Sequence, residues 1–222
     1  MANEIEFKVK LTKEQIIEFF NKRIKRNRCK NGKILYDSFY IKNDYYYETP
    51  NKDDVIRIRE EDKRVIGLIK LDTDPFEYCK YSNTINILKF LTYKKKSTVD
   101  GNEINEEFET NIYSKNVFEK IMESLGVKQY FRKNKISVTI DNQIVDEFVD
   151  YGIRYNIDLV CVNDKYYYLE AEYTGIIGED KKIKTTSDAI KFLETRKIIK
   201  DNFDVSVKDP RSWIEIVGPN EN

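Results

Sequence analysis

The chain has 222 residues, and its 39 basic and 39 acidic side chains cancel to zero net charge. That balance argues against a generic polyanion-coating protein, which carries a net positive charge or a basic block. Histidine is absent, so serine–histidine triads, histidine–metal sites and histidine general bases are excluded.

Residues 4–11 alternate without a break: Glu4, Glu6, Lys8 and Lys10 on one face, Ile5, Phe7, Val9 and Leu11 on the other. Period two is the mark of a strand between two different environments. Residues 11–30 follow as an amphipathic helix, with Thr12 and Gln15 spaced as a capping box and Ile16, Ile17, Phe19, Phe20 and Ile24 as its apolar stripe. Residues 33–47 read as an aromatic strand. Residues 54–60 read as a strand with Arg57 and Arg59 on one face, and residues 65–71 as a further strand. The stretch 72–86 shows no period and reads as an irregular insertion or lid. A strand over 88–96 and its hairpin partner over 102–110 flank the turn Asp100-Gly101. Residues 111–125 form a helix. Strands over 133–140, 154–162 and 166–173 come next, then a helix over 186–200 and a short strand over 212–217. The expected fold is α+β, a closed eight-stranded antiparallel barrel with flanking helices. A single domain over 1–222 is expected, with 61–88 as an insertion.

Cys29, Cys79 and Cys161 are odd in number and widely spaced. They indicate neither a disulfide framework nor a zinc site, and a cytoplasmic setting is expected. No apolar run reaches the ~20 residues that cross a bilayer, so no membrane partner is expected. Any metal must be a hard cation on oxygen ligands.

The alternating strands share a habit: one face is charged. Side by side, they turn inward Glu4, Glu6 and Lys8; Arg57 and Arg59; Lys94 and its neighbour Lys96; Glu107 and Glu109; Lys133 and Lys135; Asp158; Glu170 and Glu172. Burying such groups unpaired costs several kcal/mol each. A polyanion held with divalent cations would offset that cost. Arginine grips phosphoryl oxygens with a bidentate fork and lysine as a point charge.

Here the sequence resembles a family. Glu4-Ile5-Glu6-Phe7-Lys8 is similar to the ExExK signature of the CYTH superfamily, the triphosphate tunnel metalloenzymes. Tyr45-Tyr46-Tyr47-Glu48-Thr49-Pro50 resembles that family's YYDTP turn, Arg57-Ile58-Arg59 its RxR strand, and Leu91-Thr92-Tyr93-Lys94 its LTYK strand. Glu107-Phe108-Glu109, Ile157-Asp158-Leu159-Val160 and Leu169-Glu170-Ala171-Glu172 resemble later strands in the same order. Lys133-Asn134-Lys135 stands where the family has KxR, so one bidentate grip is lost at Lys135.

The resemblance implies a metal-dependent triphosphatase. Glu4, Glu6, Lys8 and Glu172 would be catalytic. Lys8, Arg57, Arg59, Lys94, Lys133 and Lys135 would bind substrate. Glu4, Glu6, Glu109, Asp158, Glu170 and Glu172 would hold Mg²⁺ or Mn²⁺. Lys70 competes with Lys94, which is favoured because Glu107 and Glu109 follow it at hairpin distance, and Lys191 or Arg196 would close the tunnel. The expected chemistry is in-line attack on the terminal phosphorus of a small-molecule triphosphate or nucleotide, with 5′-triphosphorylated RNA as a further candidate. A class IV-type adenylyl cyclase and a non-catalytic nucleotide- or polyphosphate-sequestering module are the alternatives. A monomer or homodimer is expected.

Overall fold

The computed structural model describes residues 3–26, 34–51, 54–69, 71–99, 102–143, 155–175 and 183–218. The elements in order are β1 (Asn3–Leu11), α1 (Lys13–Arg26), β2 (Ile34–Tyr47), β3 (Asp54–Ile69), α2 (Pro75–Lys80), β4 (Asn83–Val99) and β5 (Asn102–Asn111). Then come α3 (Lys115–Ser124), β6 (Gln129–Gln143), β7 (Tyr155–Val162), β8 (Tyr166–Tyr173), α4 (Thr186–Glu194), α5 (Lys197–Lys200) and α6 (Trp213–Val217). Cys29 and Lys70 lie outside the described residues. No helix among them is long and apolar enough to cross a membrane.

The eight strands form one antiparallel sheet curled on itself. Hydrogen bonding runs β1-β5-β4-β3-β2-β6-β7-β8, and β1 also pairs with β8. The sequence leads to the expectation of a closed barrel, and the pairing does come full circle, but only along a short seam. Residues 3–6 of β1 meet residues 103–106 of β5, whereas β1 meets β8 from Ile5 to Leu11. Beyond the seam the two strands are staggered past each other. That flank is a gap rather than a wall, so the sheet is a half-open barrel.

The alternation seen in the sequence decides which face is covered. Ile5, Phe7, Val9 and Leu11 are buried outward, against Ile16, Phe19, Phe20 and Ile24 of α1 and Ile190 and Leu193 of α4. Burial of such side chains contributes about 1.5–3 kcal/mol each. The Thr12–Gln15 box caps α1, with Thr12 N–H donating to Gln15 Oε1 at 2.8 Å and Gln15 N–H to Thr12 Oγ1 at 3.2 Å. The core therefore lies outside the sheet, under the helices, and the charged face is left for the lumen.

Four expected elements differ. Residues 54–60 and 65–71 are not two strands: β3 is continuous, because Glu60, Glu61 and Asp62 find lysine or arginine partners along the sheet. The stretch 72–86 is neither irregular nor a lid. It holds α2, whose start is fixed by Pro75 and by Asp74 accepting the Phe76 N–H, and the beginning of a longer β4. The expected helix over 186–200 is broken at Thr195-Arg196 into α4 and α5. The expected strand over 212–217 is α6, started by a capping box between Ser212 and Glu215.

Candidate active site

The sheet encloses a cavity of about 250 Å³ whose lining includes all twelve residues singled out for the site from the sequence. Strand register explains how they meet. On one wall, Asp44 of β2 stands opposite Arg59 of β3 on one side and Lys133 of β6 on the other. Two residues back along β2, Lys42 stands between Glu61 and Lys135. On the facing wall, Glu6 pairs in register with Glu172, and Lys8 with Glu170, which in turn faces Asp158 across β7–β8. Lys94 and Glu107 are partners across β4–β5.

The cationic wall rests on Asp44, whose side chain is fully buried. Arg59 donates to it through Nε at 2.6 Å and Nη2 at 3.0 Å. Lys133 Nζ lies 3.3 Å from it. Burial pushes the Asp44 carboxyl up, but the charges of Arg59, Lys133 and Arg57 outweigh this and hold it well below the usual carboxylate range. Burial pushes Lys133 down to about 7, aided by Lys135 and Arg59 and opposed by Asp44. Arg57 donates through Nη2 to Thr92 Oγ1 at 3.1 Å and to Glu109 at 3.4 Å, while its buried Nε has no hydrogen-bond partner among the described residues.

The carboxylate wall is partly engaged by lysines. Lys94 reaches Glu4 at 2.6 Å and also contacts Glu107. Lys8 donates to Glu6 at 2.9 Å, and Lys135 to Glu170 at 2.7 Å. Burial raises the Glu4 carboxyl, but Lys94 outweighs it and brings the value to about 2. Glu170 behaves alike, with Lys135 and Lys133 overcoming burial to give about 2. Glu172 goes the other way: burial first, then the charges of Glu4 and Glu6, push it well above its ordinary value.

A divalent cation is the natural relief for that crowding, and Glu4, Glu6 and Glu172 could supply it with hard oxygen ligands. Asp158 adds a buried Oδ1 that no hydrogen bond satisfies among the described residues. The chemistry of this donor set fits such an ion. In the present arrangement, no group of three or more carboxylates among the described residues is already disposed to hold one, consistent with lysines occupying several of the oxygens.

One end of the lumen is closed. There the inward positions turn apolar, with Tyr46, Val55, Phe131, Val160, Val162 and Tyr168 packing against Trp213, Ile216 and Val217 of α6. Trp213 stacks edge-on against Tyr168 at 5.1 Å, and its Nε1–H donates to Glu170 at 2.7 Å. The approach to α6 is anchored where Asp209 N–H donates to the Lys8 carbonyl at 2.8 Å and Tyr168 OH to Asp209 at 2.8 Å.

No family model and no curated protein matches this sequence. Solved structures do. The PH1819 protein of Pyrococcus horikoshii superposes with a TM-score of 0.60 at 20% identity, over 96% of this chain and 97% of that one. The PH1012 protein of the same organism gives 0.54 at 14% identity, over 97% and 98% of the two chains. A proposed adenylate cyclase from Vibrio parahaemolyticus gives 0.53 at 14% identity, over 96% and 97%. At these identities the likeness establishes the fold, which this chain shares over nearly its whole length.

Several residues at or behind the lumen were missed. Asp44 and Lys42 belong to a strand that reads as aromatic, although Lys42, Asp44 and Tyr46 follow one another at a spacing of two, which places all three on one face. Trp213, in a segment expected to be a strand, packs against Tyr168 and also donates to Glu170. Neither Lys191 nor Arg196 lines the cavity; Arg196 pairs with Asp141 at 3.3 Å and lies over the Tyr155 ring at 4.4 Å. Lys94 does line it.

Proposed function

We propose that the protein is a divalent-metal-dependent hydrolase of a triphosphate-bearing substrate, such as inorganic triphosphate or a nucleoside triphosphate. The observation that carries this is the opposition of two walls across one cavity: Arg57, Arg59, Lys133 and Lys135 on one, Glu4, Glu6 and Glu172 on the other. Such a lumen makes a poor core and a good polyphosphate site.

Arg59 and Lys133, anchored by Asp44, would hold phosphoryl oxygens in a fixed frame, and Arg57 and Lys94 would contact the chain from neighbouring strands. These charges offset the negative charge that moves between transferred and leaving groups. Glu4, Glu6 and Glu172, with Asp158, Glu109 and Glu170 nearby, would hold Mg²⁺ or Mn²⁺. When bound, the ion would supply charge neutralisation at the phosphoryl oxygens and a lowered water pKa. With no histidine in the chain, a carboxylate is the group left to orient the attacking water. The apolar layer around Trp213 means that the substrate would enter from the opposite end or through the flank beyond the β1–β5 seam.

A second reading, formation of cyclic AMP and pyrophosphate, uses the same anion wall, and the shared fold with the proposed cyclase from Vibrio parahaemolyticus supports it. Product analysis separates them. The protein is incubated with Mg²⁺ or Mn²⁺ and tripolyphosphate, ATP or 5′-triphosphorylated RNA. Orthophosphate release supports hydrolysis; cyclic AMP with pyrophosphate supports the cyclase; tight binding without products supports a sequestering module. Glu6→Ala is expected to cut turnover at least 100-fold with an unchanged circular dichroism spectrum. Activity within a few-fold of wild type would overturn the assignment of Glu6.

A further inference from the structure

Lys42 enters the lumen from the middle of β2, at a position that the likeness to the triphosphate tunnel enzymes does not assign. Its side chain is only 15% exposed, and its one ion pair among the described residues, with Glu61, is loose at 3.5 Å. Across β2–β6 its register partner is another lysine, Lys135. Burial holds the Lys42 ammonium below its ordinary range, and the charges of Arg59 and Lys135 add to this.

Direct ion pairs leave the cations in excess here, although Asp158 also attracts Lys42 across the lumen without an ion pair between them among the described residues. Lys42, Arg59, Lys133 and Lys135 share three carboxylates among the described residues: Glu61, Asp44 and Glu170. A cation kept in such company without a ligand is a net cost to the fold. An anion in the lumen would remove the cost.

The register also gives a length. Arg59–Asp44–Lys133 form one tier across three strands, and Glu61–Lys42–Lys135 the next, two residues along β2. Two residues of strand span about 7 Å. An anion touching both tiers must therefore be extended. We propose that Lys42, with Lys135, forms a second anion subsite that makes the lumen prefer a chain of three phosphoryl groups over a diphosphate. The inference rests on the triphosphate reading of the lumen and adds a residue that determines chain length.

The test is the shift in melting temperature caused by tripolyphosphate and by pyrophosphate, in EDTA, for wild type, Lys42→Met, Lys42→Gln, Lys42→Arg and Glu61→Gln. Without anion, Lys42→Met and Lys42→Gln should melt at or above wild type, since a repelled charge is gone. Their tripolyphosphate shift should fall to that of pyrophosphate, with Kd for tripolyphosphate raised about tenfold. Lys42→Arg should restore the difference, and Glu61→Gln should keep or enlarge it. If the neutral variants melt lower and keep the full tripolyphosphate preference, Lys42 is only the partner of Glu61 and the proposal is overturned. A lost preference in Glu61→Gln would overturn it too. If wild type responds to neither anion in EDTA and still to neither with Mg²⁺ present, the triphosphate reading itself fails, and this subsite with it.

Discussion

Asp44 stands directly across the β2–β3 ladder from Arg59 and receives both its Nε, at 2.6 Å, and its Nη2, at 3.0 Å. The same carboxylate faces Lys133 across the β2–β6 ladder, 3.3 Å away. One buried acid thus fixes two cations aimed at the lumen. Asp44→Asn should be destabilised by about 3–5 kcal/mol, because it leaves two buried cations short of a counter-charge. Urea unfolding at pH 7 measures this, and a loss below about 1 kcal/mol would show that Asp44 is not the anchor.

The same pair sets an acid limit. Asp44 is held well below its ordinary value by Arg59, Lys133 and Arg57 against the effect of burial. Its folded value is thus depressed, so the unfolded chain binds the proton more readily, and the stability it contributes is present above the unfolded value of about 3.9. That contribution is lost as pH falls from there through the folded value. Wild-type stability should drop steeply below about pH 4, and Asp44→Asn should show a shallower acid limb in the same urea series.

Lys133 predicts a slope on the alkaline side. Burial, with Lys135 and Arg59, brings it to about 7 in the fold, against about 10.4 for a free lysine. Between those values the unfolded chain carries the extra proton, so the metal-free protein should gain stability as pH rises through that window. Tripolyphosphate affinity should move oppositely and weaken as Lys133 loses its charge above about pH 7. Lys133→Arg, which keeps its charge, should flatten the affinity profile measured by calorimetry between pH 6 and 9.

Glu172 is crowded by Glu4 and Glu6 in a buried site. Glu172→Gln should therefore raise the melting temperature of the metal-free protein by about 2–4 °C, equivalent to about 1 kcal/mol in a chain of this size. It should also abolish the shift that Mn²⁺ produces in wild type. A variant that melts lower without metal, or that keeps the Mn²⁺ shift, would remove Glu172 from the proposed ligand set.

The legible part of this molecule was the part with a period. Glu4-Ile5-Glu6-Phe7-Lys8 and Arg57-Ile58-Arg59 announce both their strands and their inward faces, because period two leaves no other way to bury Ile5 and Ile58. The first helix was visible through Thr12 and Gln15 and its apolar stripe. What stayed hidden depended on partners distant in sequence. Glu60, Glu61 and Asp62 read as a break in β3, yet each is matched by a cation along the sheet. Asp44 and Lys42 gain their meaning only from Arg59, Lys133 and Lys135 on adjoining strands. Ile214-Glu215-Ile216 alternates like a strand, but the Ser212–Glu215 capping box and the apolar end of the lumen make the segment a helix. The short β1–β5 seam depends on strand stagger, which no local pattern encodes.

The most direct test is calorimetric titration of tripolyphosphate into the protein with Mg²⁺ present, beside Arg57→Met and Lys135→Met, each shown to be folded. The account predicts a single saturable site in wild type and at least tenfold weaker binding in each variant, since both cations face one lumen. Absence of binding to wild type, or equal affinity in all three proteins, would contradict it.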